Sequence, residues 1–226
     1  MNWFCEKLKA IVPIVCASGA LILSGCAGIP ESPRELDEGR AEAERLRGVD
    51  SSKLHMDIPK EIEGKVPSSP TLLELYTELD FDPSGNSLYL VSLKDPFGAL
   101  YASEIRDESV ALTGKLFPGV EAVDNEADAF RHAYFSFRLS QKIGSERAKK
   151  FTDAYEVSYI NKMGGRCMDL WNNREGRRMY EDTKTSESDK KALAQESVMS
   201  AIKEGRLVLR PFEINWGDEA KADSKK

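Results

Sequence analysis

Histidine is almost missing from this chain, with only His55 and His132 in 226 residues. Cysteine is nearly as scarce. Cys5, Cys16 and Cys26 lie in the N-terminal stretch of 26 residues, and only Cys167 stands in the body of the chain, within GGRCMDLW. Beyond the N-terminal stretch this leaves no pair for an intrachain disulfide. Without a CxxC motif it also leaves little basis for a structural zinc site, so Cys167 reads as a small buried side chain. A basic excess is absent too. The chain has 32 Lys and Arg against 38 Asp and Glu, a net charge of -6, and lacks the positive field that a nucleic-acid-binding domain uses. Nucleic acid is not an expected partner. No apolar run reaches the roughly 20 residues that span a bilayer comfortably, and no repeat of 20 to 50 residues is present. A serine-nucleophile motif, a phosphate loop and an HExxH helix are all missing, which removes the common catalytic signatures.

What is present starts at the N-terminus. Lys7 and Lys9 precede an apolar run from Ala10 to Leu23, AIVPIVCASGALIL, which has the length of an export-signal core. Leu23-Ser24-Gly25-Cys26 follows and resembles the lipobox of bacterial lipoproteins: a branched apolar residue, two small residues that fit a protease cleft, and a thiol acceptor. The resemblance implies removal of residues 1–25, a diacylglycerol on the Cys26 sulfur and an acyl chain on its new amine. Such chains hold a protein to a membrane at roughly 0.8 kcal/mol per buried methylene. The second mature residue is Ala27, not the Asp that resembles an inner-membrane retention signal. The expected place is therefore the cell outer membrane, facing the periplasm. Residues 26–70 carry Pro30, Pro33, Pro59, Pro67 and Pro70 with few large apolar side chains, and read as a tether. A solvated helix over Arg34 to Arg47 interrupts it and packs weakly, because Leu36 and Leu46 are its only large apolar residues.

The remainder, residues 71–216, reads as an all-α domain, a compact helical bundle with one strand-like segment near its C-terminus, followed by a polar tail over residues 217–226. Leu72, Leu75, Tyr76 and Leu79 form one helical stripe. A short apolar run, Leu88 to Leu93, precedes a helix over Pro96 to Leu112. Asp124 or Asn125 caps a helix to Ile143 whose stripe is Ala127, Phe130, Tyr134 and Phe137, with Gly144 as terminator. Ser145 caps the next, which Gly164-Gly165 ends near Lys162. A third runs from Cys167 toward Tyr180, and Ser186 or Ser188 starts a fourth that ends before Gly205. Arg206 to Ile214 alternates like a strand but has no obvious partner.

Polar groups of chemical interest fall on the three central helices. Asp128 and His132 are four apart, so a carboxylate can orient the imidazole. Asp153 and Glu156 are three apart on the next helix, and Asp169, Asn172 and Asn173 share a face of the third. Carboxylates, one histidine and amides converging between helices suit acid-base chemistry or a divalent metal. The competing reading is structural, with each group paired to an amide, a hydroxyl or one of the arginines.

DNEADAFRHAYFSF, FTDAYE, MDLWNNREGRR and AIKEGRL, in this order, resemble an uncharacterised helical domain found in bacterial lipoproteins and at the C-termini of Rhs-type polymorphic toxins. The resemblance covers Val123 to Leu209. By it, the pattern positions are Asp128, Arg131, His132, Asp153, Glu156, Asp169, Asn172, Asn173, Gly176 and Arg177, and the toxin context implies a hydrolytic activity. Tyr155 departs from the pattern, where a second histidine often stands. Two function classes follow. One is a non-catalytic envelope lipoprotein that binds or shields an envelope protein or peptidoglycan. The other is a metal-dependent or acid-base hydrolase of cell-wall or lipid substrates, with His132, Asp128, Asp153, Glu156 and Asp169 as catalytic candidates and Arg131, Asn172, Asn173 and Arg177 as binding candidates.

Overall fold

A computed structural model describes residues 33–47, 49–50, 53–158, 162–183 and 190–215. The expected export signal, Cys26, the helix start at Ser186 or Ser188, Trp216 and the tail lie outside them. In chain order the elements are α1 (Pro33–Arg45), β1 (His55–Asp57), α2 (Leu72–Glu78), α3 (Leu88–Lys94), α4 (Pro96–Leu116), α5 (Glu126–Ile143), α6 (Ser145–Ser158), α7 (Met163–Thr183), α8 (Lys190–Lys203) and β2 (Glu213–Asn215). The chain is mainly helical, and none of the described helices is long and apolar enough to cross a membrane.

Local chemistry sets these boundaries. Thr71 opens α2 with a capping box: its hydroxyl accepts the Glu74 N–H at 3.2 Å and Glu74 Oε2 accepts the Thr71 N–H at 2.8 Å. Asp95 caps α4 by accepting the Gly98 N–H at 2.9 Å, with Pro96 in the first turn. Asn125 caps α5 through the Asp128 N–H at 3.2 Å, and Gly144, at φ 82°, ends it. The run from Leu88 to Leu93 belongs to a helix, α3, that packs chiefly along α6.

The most extensive contact between any two elements is that of α5 with α7. Ala127, Phe130, Tyr134 and Phe137 of α5 are buried, and the Phe130 and Tyr134 rings stack with centroids 5.6 Å apart. Gly176 lets the helices meet, since a Cβ there would lie 2.2 Å from the Ala133 carbonyl oxygen. This approach brings Asp169 and Asn173 of α7 beside His132 of α5. A clamp ties α5 to two further elements: Glu108 of α4 accepts from Arg138 at 2.7 Å and Tyr134 at 2.7 Å, both on α5, and lies 2.5 Å from Lys191 of α8. Burial would raise the Glu108 carboxyl, but these partners hold it down to about 2.

Four expectations need correction. Residues 54–70 are not tether, because Leu54, Met56, Ile62 and Val66 lie in the main hydrophobic core. The strand-like C-terminal segment has a partner in that same stretch: β1 and β2 pair antiparallel, with Met56 opposite Ile214. Gly164 and Gly165 do not terminate α6. They lie in the first turn of α7, where a Cβ on Gly164 would stand 1.9 Å from the Phe212 carbonyl oxygen, so the absent side chain serves packing instead of a cap. α1 also does more than face solvent, since Glu42 Oε2 accepts the Met163 N–H at the start of α7 at 2.6 Å and Leu46 packs against the core.

Candidate metal and acid-base site

The N-terminal halves of α5 and α7 supply the centre. His132 Nε2 is 3.4 Å from Asp128 Oδ1, one turn earlier on α5, and 3.4 Å from Asp169 Oδ1 on α7. All three residues are buried, and one ligand atom from each lies within 4.8 Å of the others. Bonds of about 2.0 to 2.2 Å to a shared tetrahedral cation place ligand atoms about 3.3 to 3.6 Å apart, so the His132 distances suit one ion. Asp128 is firmly oriented. Its carboxylate accepts from the Asp124 N–H at 2.9 Å and from Arg131 Nη2, the kind of outer partner that fixes a ligating carboxylate.

A second layer surrounds this group. Asn173 links His132 to Glu156: it hydrogen-bonds His132, accepts from Ser136 Oγ at 2.8 Å and offers Nδ2 to Glu156 Oε1 at 3.5 Å. Burial pushes the His132 imidazole down to about 4, helped by the Arg131 charge and opposed by Asp128 and Asn173, so it is neutral at pH 7. Burial pushes Glu156 up to about 8 against the pull of Arg166. Asp169 is raised well above its ordinary value by burial and by the charges of Asp128 and Glu156. An imidazole held neutral is the form that ligates a metal, and Glu156, which keeps its proton to about pH 8, can donate it.

The layer faces a cavity of about 70 Å³ between α4, α5 and α6. Its lining includes the polar Arg106, Arg131, His132, Tyr155, Glu156 and Asn173 and the apolar Leu88, Val110, Phe135 and Phe151. Tyr155, the departure from the resembled pattern, thus shares the cavity with His132.

Three of the sequence candidates sit elsewhere. Asp153 points into a separate surface depression and pairs with Lys149 at 2.6 Å. Asn172 faces the C-terminal segment, where its amide donates to the Val208 carbonyl at 2.9 Å and accepts the Val208 N–H at 3.0 Å. Arg177 donates to Thr152 Oγ1 at 3.0 Å and joins α7 to α6. Cys167 is buried and unbonded to another cysteine. Arg106 escaped sequence reasoning, since a lone arginine on a charged helix carries no signal of the cavity that it faces.

No curated protein matches the chain, and no solved structure does. One family matches residues 89–206, from α3 to the end of α8, and so includes every residue of the centre. This chain belongs to that family, described as a domain of unknown function, DUF6973.

Proposed function

We propose that this chain is a lipid-anchored envelope protein whose helical domain is a hydrolase, with a divalent metal held by Asp128, His132 and Asp169. The observation that carries this reading is the meeting of three metal-competent atoms from two helices within 4.8 Å, next to a cavity that a substrate group can enter. A metal there would supply a bound water of lowered pKa as nucleophile. Glu156, which keeps its proton to about pH 8, is the group to protonate a leaving oxygen, while Arg131 keeps Asp128 in place. Asp169 must release its proton for a cation to enter, so affinity should rise with pH.

Thermal melting tests the reading. Mn²⁺ or Zn²⁺ at about a hundred times its dissociation constant should stabilise the protein by about 2.7 kcal/mol. EDTA should reverse the gain, and Asp169→Asn and His132→Ala should abolish it. A parent protein whose melting ignores both metal and chelator would leave the cluster as scaffolding. The non-catalytic reading then gains, and it has its own support in the exposed apolar side chains Tyr89, Leu90, Leu93, Phe97 and Leu100 on α3 and α4, a surface suited to an envelope partner.

A further inference from the structure

We propose that the cavity beside the metal-competent cluster is an oxyanion site, shaped for a phosphate-type group that carries an apolar substituent. The inference rests on reading the cluster as a catalytic centre and gives that centre its substrate class.

Two guanidinium groups from different helices, Arg106 of α4 and Arg131 of α5, line the same small cavity. Arg106 holds Asp107 Oδ1 through Nε at 2.9 Å and Nη2 at 2.6 Å, an exposed carboxylate that an anion in the cavity would displace. Arg131 is only partly satisfied. Its Nη2 reaches Asp128 and the Ala122 carbonyl, but its Nε is buried and has no hydrogen-bond partner among the described residues. A buried, charged donor without an acceptor is costly, and an anion in the cavity would remove the cost. Arginine's planar fork matches tetrahedral oxyanions, and two forks beside a bound cation form the usual clamp on a phosphoryl group. The apolar part of the lining sets the rest of the ligand. Leu88, Val110, Phe135 and Phe151 offer nothing to a charged oxygen and suit hydrocarbon. Val110 is both part of this lining and 40% exposed, so the cavity meets solvent beside an apolar edge. At about 70 Å³ it has room for a head group but not for a long chain, which would leave along Val110.

Calorimetric titration of the full-length protein with phenylphosphonate, inorganic phosphate and benzyl alcohol, each in EDTA and in Mn²⁺, tests the proposal. Phenylphosphonate should bind at submillimolar concentration and at least tenfold more tightly than inorganic phosphate, with benzyl alcohol undetected. Arg106→Gln should weaken phenylphosphonate at least tenfold, and Arg106→Lys less, both with the melting temperature of the parent. Equal binding of benzyl alcohol would overturn the anion site in favour of a plain apolar hole. Equal binding of inorganic phosphate would overturn the apolar half. No binding, or binding indifferent to Arg106→Gln, would overturn the whole. Binding in EDTA that needs Arg106 supports the site even if melting shows no metal response, which separates its failure from that of the catalytic reading.

Discussion

Glu156 carries a pH consequence that melting can read. Unfolded, its carboxyl titrates near 4.5; folded, burial moves it up to about 8. Between those values unfolding releases a proton that the native state keeps, so its contribution is full below pH 4.5, declines as pH rises and is gone above pH 8. The slope reaches about 1.4 kcal/mol per pH unit. His132 has the opposite sign. Its folded value of about 4 lies below the ordinary 6.5, so its contribution is lost as pH falls through that window. Glu156→Gln keeps the shape and removes the proton. Melting curves of the metal-free variant should match the parent near pH 4.5 and exceed it by several degrees at pH 8. A difference that does not change with pH would mean that Glu156 is ionised in the native state. Helical spacing made part of this legible, because residues four apart, such as Asp128 and His132, must share a face. It could not say what the face meets. Asp153 is three residues from Glu156, yet Lys149 draws it outward, and Asn172 is next to Asn173, yet it holds Val208.

At the scale of elements, the stretch around β1 decides where the folded unit begins. Leu54, Met56 and Ile62 are buried, and full burial of such side chains stabilises by about 1.5 to 3 kcal/mol each. Their sum is comparable with the whole stability of an ordinary domain, about 5 to 15 kcal/mol. A fragment of residues 71–215 should therefore unfold without a sharp transition, whereas residues 53–215 should melt cooperatively. Equal cooperativity in both would return the stretch to the tether. Helices α2 and α5 were readable because each carries an apolar stripe with a cap. β1 was not. Three residues, only Met56 buried among them, make too short an alternation, and the flanking prolines imitate a linker. Gly164 misled for a related reason. A glycine pair looks the same in sequence whether it ends a helix or admits a neighbouring backbone, and only the position of Phe212 decides between them.

For the molecule as a whole, the proposed anchor sets where the centre can work. α1 is fastened to the start of α7 through Glu42, which leaves residues 27–32 between Cys26 and the first described helix. Even fully extended, a segment of that length spans at most about 25 Å, so the domain would rest close to the bilayer. Labelled palmitate should enter the parent and be absent from Cys26→Ser, which should also leave the membrane fraction. Labelling that persists in the variant would remove the anchor from the proposal. The pairing of β1 with β2 has a consequence in time. Residues 58–212 lie between the two strands, and ribosomes add about 5 to 20 residues per second. For about eight to thirty seconds after β1 is made, the edge that β2 covers lacks its native partner, although the Met56 N–H can already reach the Pro70 carbonyl on the other side. A nascent chain in that interval offers a binding site to any holding chaperone, and the last strand to be synthesised is the one that closes it.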